Sequence, residues 1–161
     1  NFGRRHFRRV IVFRPHNVYG PAMGAEHVIP QFVLRIAGAP GPDPVPFPIQ
    51  GTGDETRSFV HIDDLAEGVR ILWERGEHLG IYHIGRQEEV TIRDLARKVA
   101  SCLGRRVEVA TGPLTPGSPH RRCPDTSKIQ AIGFASRISL DDGLPQVVDW
   151  YKRNAGRWAS R

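Results

Sequence analysis

The chain has 161 residues, with 23 Lys plus Arg against 17 Asp plus Glu and a formal net charge of +6 at pH 7. At 39% hydrophobic and 25% charged it is too apolar for a disordered chain and too mixed for a coiled coil, and its length suits about one domain. No apolar run is long enough to span a bilayer. The two cysteines, Cys102 and Cys123, build no disulfide framework, which points to a reducing, cytoplasmic setting. Arg4, Arg5, Arg8 and Arg9 supply a local basic cluster, read as a solvated or partner-facing surface; the other charges are interspersed, so no nucleic-acid partner and no membrane is expected. The chain opens on Asn1 without a methionine or a signal peptide, and an apolar strand follows almost at once, so we expect a piece of a longer protein.

In chain order, Val10-Ile11-Val12-Phe13 has the pattern of a strand buried on both faces, ended by Arg14-Pro15. A loop follows at Asn17-Val18-Tyr19-Gly20-Pro21. Pro30 suits the first turn of a helix with Ile29, Phe32, Val33 and Ile36 on its apolar face and Gly38 at its close. Prolines at 40, 42, 44, 46 and 48 predict an extended polyproline-like loop. Ser58-Phe59-Val60 predicts a short strand, and Asp63 or Asp64 caps a helix carrying Leu65, Val69 and Leu72. Ile81-Tyr82-His83-Ile84-Gly85 is a second buried strand. Thr91 and Asp94 form a capping box for a helix with Ile92, Leu95, Val99 and Leu103, stopped by Gly104. Val107 and Val109 suggest an alternating strand. A short helix spans about 127–132, and a last helix starts at Ser139 with Pro145 inside its pattern. The order of elements is mixed α/β.

No complete catalytic set is visible. Gly51-Thr52-Gly53-Asp54-Glu55-Thr56 is the nearest approach to a phosphate loop. It lacks a third glycine, carries two acids and leads into a strand, so a turn is expected instead. The seven histidines and two cysteines show no zinc spacing, so no metal is expected, and no serine sits in a GxSxG elbow. Arg57 enters a strand after the glycine turn, and Arg121-Arg122 precedes a short helix. Guanidinium groups suit diphosphates, and two on separate loops could clamp one; spacing alone favours ordinary surface ion pairing.

Several segments, in order, resemble the C-terminal half of the NAD-dependent nucleotide-sugar epimerase/dehydratase family, the extended short-chain dehydrogenases/reductases. They are Val10-Ile11-Val12-Phe13-Arg14-Pro15-His16-Asn17-Val18-Tyr19-Gly20-Pro21, His27-Val28-Ile29-Pro30, the stretch from Gly51 through Arg57 to Asp64, Tyr82-His83-Ile84-Gly85, Arg122-Cys123-Pro124-Asp125, and Gly143-Leu144 with Trp150-Tyr151. The resemblance implies an α/β fold: the C-terminal part of a Rossmann-type parallel sheet (residues 10–21 and 81–103) plus a small α/β substrate-binding domain (mainly residues 22–80 and 104–161).

By the same resemblance, Arg57 and Arg122 grip the diphosphate of a nucleotide-diphosphate sugar, which makes the clamp the favoured reading. Asn17 bonds the nucleotide sugar, His27 and Val28 touch the nucleotide, Phe47 to Ile49 line its base, and His16 lies near the nicotinamide of NAD. The implied function is an NAD-dependent sugar 4-epimerase of the UDP-glucose type, the alternatives being a 4,6-dehydratase, a decarboxylase or a non-catalytic nucleotide-diphosphate binder. The complete enzyme would be a homodimer, and the fragment would self-associate through uncovered strands. No catalytic residue is assigned. The family's Gly-rich loop and Tyr-x-x-x-Lys pair are missing: Tyr19, Tyr82 and Tyr151 are followed four residues on by Met23, Arg86 and Ala155. The chain alone is therefore expected to be inactive. His83 stands where many relatives have Asn.

Overall fold

A computed structural model describes residues 2–114 and 116–157. The elements run α1 (Phe2–His6), β1 (Val12–Pro15), β2 (Val18–Tyr19), α2 (Val28–Ala37), β3 (Val45–Pro48), β4 (Thr56–Ser58), β5 (Val60–His61) and α3 (Ile62–Arg75). Then follow β6 (Ile81–Ile84), β7 (Glu89–Thr91), α4 (Ile92–Cys102), β8 (Val107–Ala110), β9 (Arg121–Arg122), α5 (Ser127–Gln130), α6 (Leu140–Arg153) and a closing 3-10 turn. They gather into two compact units. Of the described residues, one holds those within 1–18, 58–89 and 123–139, the other those within 19–57, 90–122 and 140–161. In this division α3 goes with the β1 and β6 strands, and α4 goes with the other unit. Each helix follows the apolar surface it covers, whatever its neighbours in sequence.

In the first unit β1 and β6 pair in parallel, with Val12 opposite Ile81 and Arg14 opposite His83. The expected two-sided burial of β1 is not what forms. Its four residues are all exposed, and β6 is its only ladder partner among the described residues; Val12 and Phe13 remain 44% and 42% accessible. β6 alternates instead, Tyr82 and Ile84 inward and Ile81 outward. The core packs Ile71, Leu72, Tyr82, Ile84, Ile129 and Phe134 together. The buried face of α3 is turned from the predicted one: Val69 is exposed while Asp64, Gly68, Ile71 and Leu72 are buried. Gly68 explains this, since a Cβ there would meet Ile84 at 2.8 Å and Phe134 at 3.2 Å. The helix lies with its bare backbone against β6. On its other side Trp73, 76% exposed, joins Phe7, Phe13 and Val69 around an open apolar groove of about 790 Å³.

The N-cap of α3 is His61, whose Nδ1 accepts the Asp63 N–H at 3.3 Å, and not Asp63 or Asp64. Asp64 is buried, and its Oδ2 accepts the backbone N–H groups of Arg137 and Ile138, both at 3.0 Å. It fastens the segment after α5 to the helix start.

In the second unit β3 and β8 pair in parallel, Val45 opposite Val107 and Phe47 opposite Val109, and α2, α4 and α6 pack on one another. The proline-rich stretch was expected to be a loop, yet residues 45–48 form a strand. Val45 and Ile49 donate to the Arg106 and Ala110 carbonyls at 2.9 Å. Residues of one parity in a strand bond to one edge and those of the other parity to the opposite edge. Pro44, Pro46 and Pro48 therefore sit where the missing N–H would have faced outward, as edge strands permit. α4 starts as predicted at Thr91, whose Oγ1 accepts the Asp94 N–H at 3.0 Å; the Asp94 carboxylate returns to that hydroxyl at 2.9 Å. Pro145 lies inside α6. No helix among the described residues is long and apolar enough to cross a membrane.

Candidate functional site

The glycine turn decides what residues 51–57 can do. Gly51 and Gly53 have φ of 78° and 88°, a left-handed backbone that favours glycine. The turn aims the Thr52 and Gly53 N–H groups inward, and they donate at 3.0 and 2.9 Å to the two oxygens of Glu55, which is 3% exposed. Burial works against the charge of Glu55, but these donors prevail and hold its carboxyl below the usual range. The outward side of the turn is used as well: the Gly53 and Glu55 carbonyls accept the Arg93 and Ile92 N–H groups at 3.0 Å, satisfying the first turn of α4. The N–H groups a phosphate would need are thus filled by the protein's own carboxylate.

The turn delivers Arg57 into β4. β4 pairs in parallel with β9, placing Thr56 opposite Arg121 and Arg57 opposite Arg122. Directly opposed residues of a ladder project from the same face, so Arg57 and Arg122 stand side by side. Arg57 feels its neighbour: burial first and then the Arg122 charge draw it below the usual arginine range, while Glu55 opposes. The two guanidiniums are differently placed. Arg57 Nη1 donates to the Thr56 and His120 carbonyls at 2.7 and 3.2 Å, and Nη2 to the Pro119 carbonyl at 2.8 Å and the Ser118 hydroxyl at 3.3 Å. Arg122 is exposed, and its guanidinium has no hydrogen-bond or ion-pair partner among the described residues. Arg57 is an anchored cation that shapes residues 118–120, and Arg122 is an available one.

The other site residues from the sequence fall as follows. His27 is the exposed N-cap of α2, without a side-chain cap bond, and Val28 is the first residue of that helix. Phe47 and Ile49 are buried; Phe47 meets Phe32 edge-on at 5.0 Å, and Arg35 lies over its ring at 4.3 Å. Their side chains are core, so only the backbone edge of β3 is left to meet a ligand.

In the first unit, Asn17 adopts φ 44°, a conformation that asparagine tolerates, and its Nδ2 donates to the Ser58 carbonyl at 2.8 Å. His16 lies at the carboxyl end of β1, half-buried, with Nε2 2.6 Å from His83 Nδ1. Sequence reasoning missed Glu55 and Asp64 as anchors and His83 as a partner. For Glu55 a signal exists in the acid two residues after a Gly-x-Gly turn; for Asp64 and His83 the partners are remote in sequence. No group of three metal-ligating side chains occurs among the described residues.

The family model described as NAD dependent epimerase/dehydratase matches residues 1–85. Over 159 residues the chain is 31% identical to a trifunctional UDP-glucose 4,6-dehydratase/UDP-4-keto-6-deoxy-D-glucose 3,5-epimerase/UDP-4-keto-L-rhamnose-reductase of Arabidopsis thaliana, covering 98% of this chain and 23% of that protein. It is 35% identical to GDP-L-fucose synthase 1 of the same plant, covering 87% and 45%. Among solved structures it is similar to a dTDP-glucose 4,6-dehydratase from Streptomyces venezuelae with NAD and TYD bound (TM-score 0.82, 31% identity, 99% of this chain and 48% of that one). It is likewise similar to a Thermus thermophilus UDP-glucose 4-epimerase in complex with NAD (TM-score 0.76, 28% identity, 94% and 49%). The chain therefore spans a quarter to a half of the length of these relatives.

Proposed function

The chain belongs to the NAD dependent epimerase/dehydratase family, and we propose that it is the nucleotide-sugar-binding half of a sugar 4-epimerase of the UDP-glucose type. The observation that carries this reading is the opposition of Arg57 and Arg122 in the β4–β9 ladder. Like charges placed side by side repel, and a diphosphate between or over them removes that repulsion. The arrangement modifies the simple clamp. Arg57 has both terminal nitrogens committed and contributes a fixed positive field, while Arg122 makes the direct contact. His27 and Val28 would meet the nucleotide at the start of α2, where backbone N–H groups favour an anion; the base would run along the outer backbone of β3 beside residues 47–49. Within the first unit, taken by itself, Asn17 is the residue proposed to bond a nucleotide sugar.

NAD, when bound, supplies the hydride acceptor and donor. Of the residues present, His16 would lie beside its nicotinamide, at the carboxyl end of parallel strands where such sheets take their ligands. The residue 51–55 turn does not fit its pyrophosphate, because Glu55 occupies the N–H groups. The acid/base tyrosine and its lysine are not in this sequence, so the 161 residues alone are expected to turn over nothing. A 4,6-dehydratase is the second reading, supported by the 31% identity to the Streptomyces enzyme.

Titration calorimetry with UDP and UDP-glucose tests the diphosphate site. A charge-assisted hydrogen bond is worth about 1.5–3 kcal/mol, and an exposed arginine sits at the low end, so Arg122→Ala should weaken both ligands about tenfold. Equal affinity in wild type and variant would remove Arg122 from the site.

A further inference from the structure

The mechanism outlined above leaves His83 without a role, yet it makes a close side-chain contact in the first unit. Its Nδ1 lies 2.6 Å from His16 Nε2. The ring planes differ by 29°, and the centroids are 4.8 Å apart. That separation exceeds the nitrogen–nitrogen distance by 2.2 Å, about the breadth of one imidazole, so the rings meet edge to edge and a proton can lie on the line between them. At this distance one nitrogen must donate and the other accept. Two N–H groups facing each other would repel, and two lone pairs would leave a contact with no hydrogen in it.

The backbone on both sides is fixed. The His16 N–H donates to the Ile84 carbonyl at 3.0 Å. Gly85 packs so closely that a Cβ there would sit 3.3 Å from His16 Cβ and 2.6 Å from Pro124 Cγ. The charged groups around the pair are Arg14, opposite His83 in the ladder, and Asp125. The Asp125 carboxyl is held below its usual range first by Ser127 and, after the opposing effect of burial, by the His83 charge.

We propose that His83 is a positioning residue for His16: the single proton shared between their facing nitrogens fixes the ring angle of His16 at the carboxyl end of β1 and ties its tautomer to that of His83. The ligand side of this inference rests on the reading that His16 lies beside NAD; the proton sharing stands without it. Neighbouring hydrogen bonds commonly set which nitrogen of a histidine carries its proton.

The test uses the intact protein with histidine nitrogens labelled for magnetic resonance. In the wild type, neutral His16 and His83 should show the same tautomer and a nitrogen–nitrogen coupling across the hydrogen bond. In His83→Asn, too short to reach, the coupling should disappear and the tautomer ratio of His16 should shift. His83→Phe, of similar bulk to the imidazole, is the second variant should the first fail to fold. A wild-type pair with unlike tautomers or no coupling, or a His16 unchanged by either substitution, would overturn the proposal. NADH affinity, read by fluorescence, separates the two claims. A loss of about threefold to tenfold in both His16→Phe and His83→Asn, the range of one hydrogen bond, supports positioning. A loss in His16→Phe alone overturns it. No loss in either variant overturns the placement of His16 beside NAD and, with it, the ligand role given to His83.

Discussion

Replacing Glu55 with glutamine probes the turn on which β4 and Arg57 depend. The wild-type carboxylate gives Oε1 to the Thr52 N–H and Oε2 to the Gly53 N–H, at 3.0 and 2.9 Å, almost sealed from water. Glutamine keeps one oxygen and turns an NH2 group toward the other donor. One charge-assisted bond becomes neutral, at about 1 kcal/mol, and one buried N–H is stranded, at about 1–3 kcal/mol, for a total of roughly 2–4 kcal/mol. For a chain of this size that corresponds to roughly 5–15 °C in Tm. Scanning calorimetry at neutral pH measures it. The pH dependence gives a second readout. The folded carboxyl lies below the ordinary glutamate value of 4.5, so its contribution is complete above that value and is lost as pH falls through the lower, folded one. The gap between wild type and Glu55→Gln should therefore narrow in acid. An unchanged Tm at neutral pH, or a gap that persists in acid, would refute the account of the turn.

Gly68→Ala should destabilise by about 1–3 kcal/mol, since its methyl would press on Ile84 and Phe134, and urea titration would show it. Tyr151 is pushed up to about 12, by burial first and then by the Glu26 charge, and its hydroxyl donates to the Met23 carbonyl. Its folded pKa is raised, so its contribution is present below the ordinary value near 10 and is lost as pH climbs toward 12. The phenolate absorbance removed by Tyr151→Phe should be the part that emerges near 12. With Val12, Phe13 and Trp73 uncovered, the 161-residue chain should self-associate in sedimentation runs; a monodisperse monomer would contradict this. Pro46→Val restores an N–H on the outer edge of β3 and should increase that association.

The sequence carried the helices well where a cap and a periodic face agreed, as at Thr91 with Leu95 and Val99, both fully buried. It failed where the deciding partner was distant. Alternate prolines argue against a strand if both edges must bond, but β3 needs only one, and the even positions of the prolines fall on the other. The register of α3 is set by Gly68 meeting Ile84, which periodicity counted from Leu65 and Val69 has no means to anticipate. The opposition of Arg57 and Arg122 depends on the pairing of two short strands 65 residues apart; composition and spacing identified the cations but not their common face. Asp63 and Asp64 look alike as helix-start acids, yet one is exposed and the other anchors residues 137 and 138.

The four contacts made by the Arg57 guanidinium have a consequence for kinetics. A side chain already immobilised by folding surrenders no further rotational entropy when an anion arrives, whereas Arg122 must still give up its freedom. The standing field of Arg57 should therefore act mainly on the rate of capture and be felt before contact. The closing of Arg122 should act mainly on residence time. Substituting each in turn, with salt varied, would separate an attraction that exists in the empty protein from one that forms only around its guest.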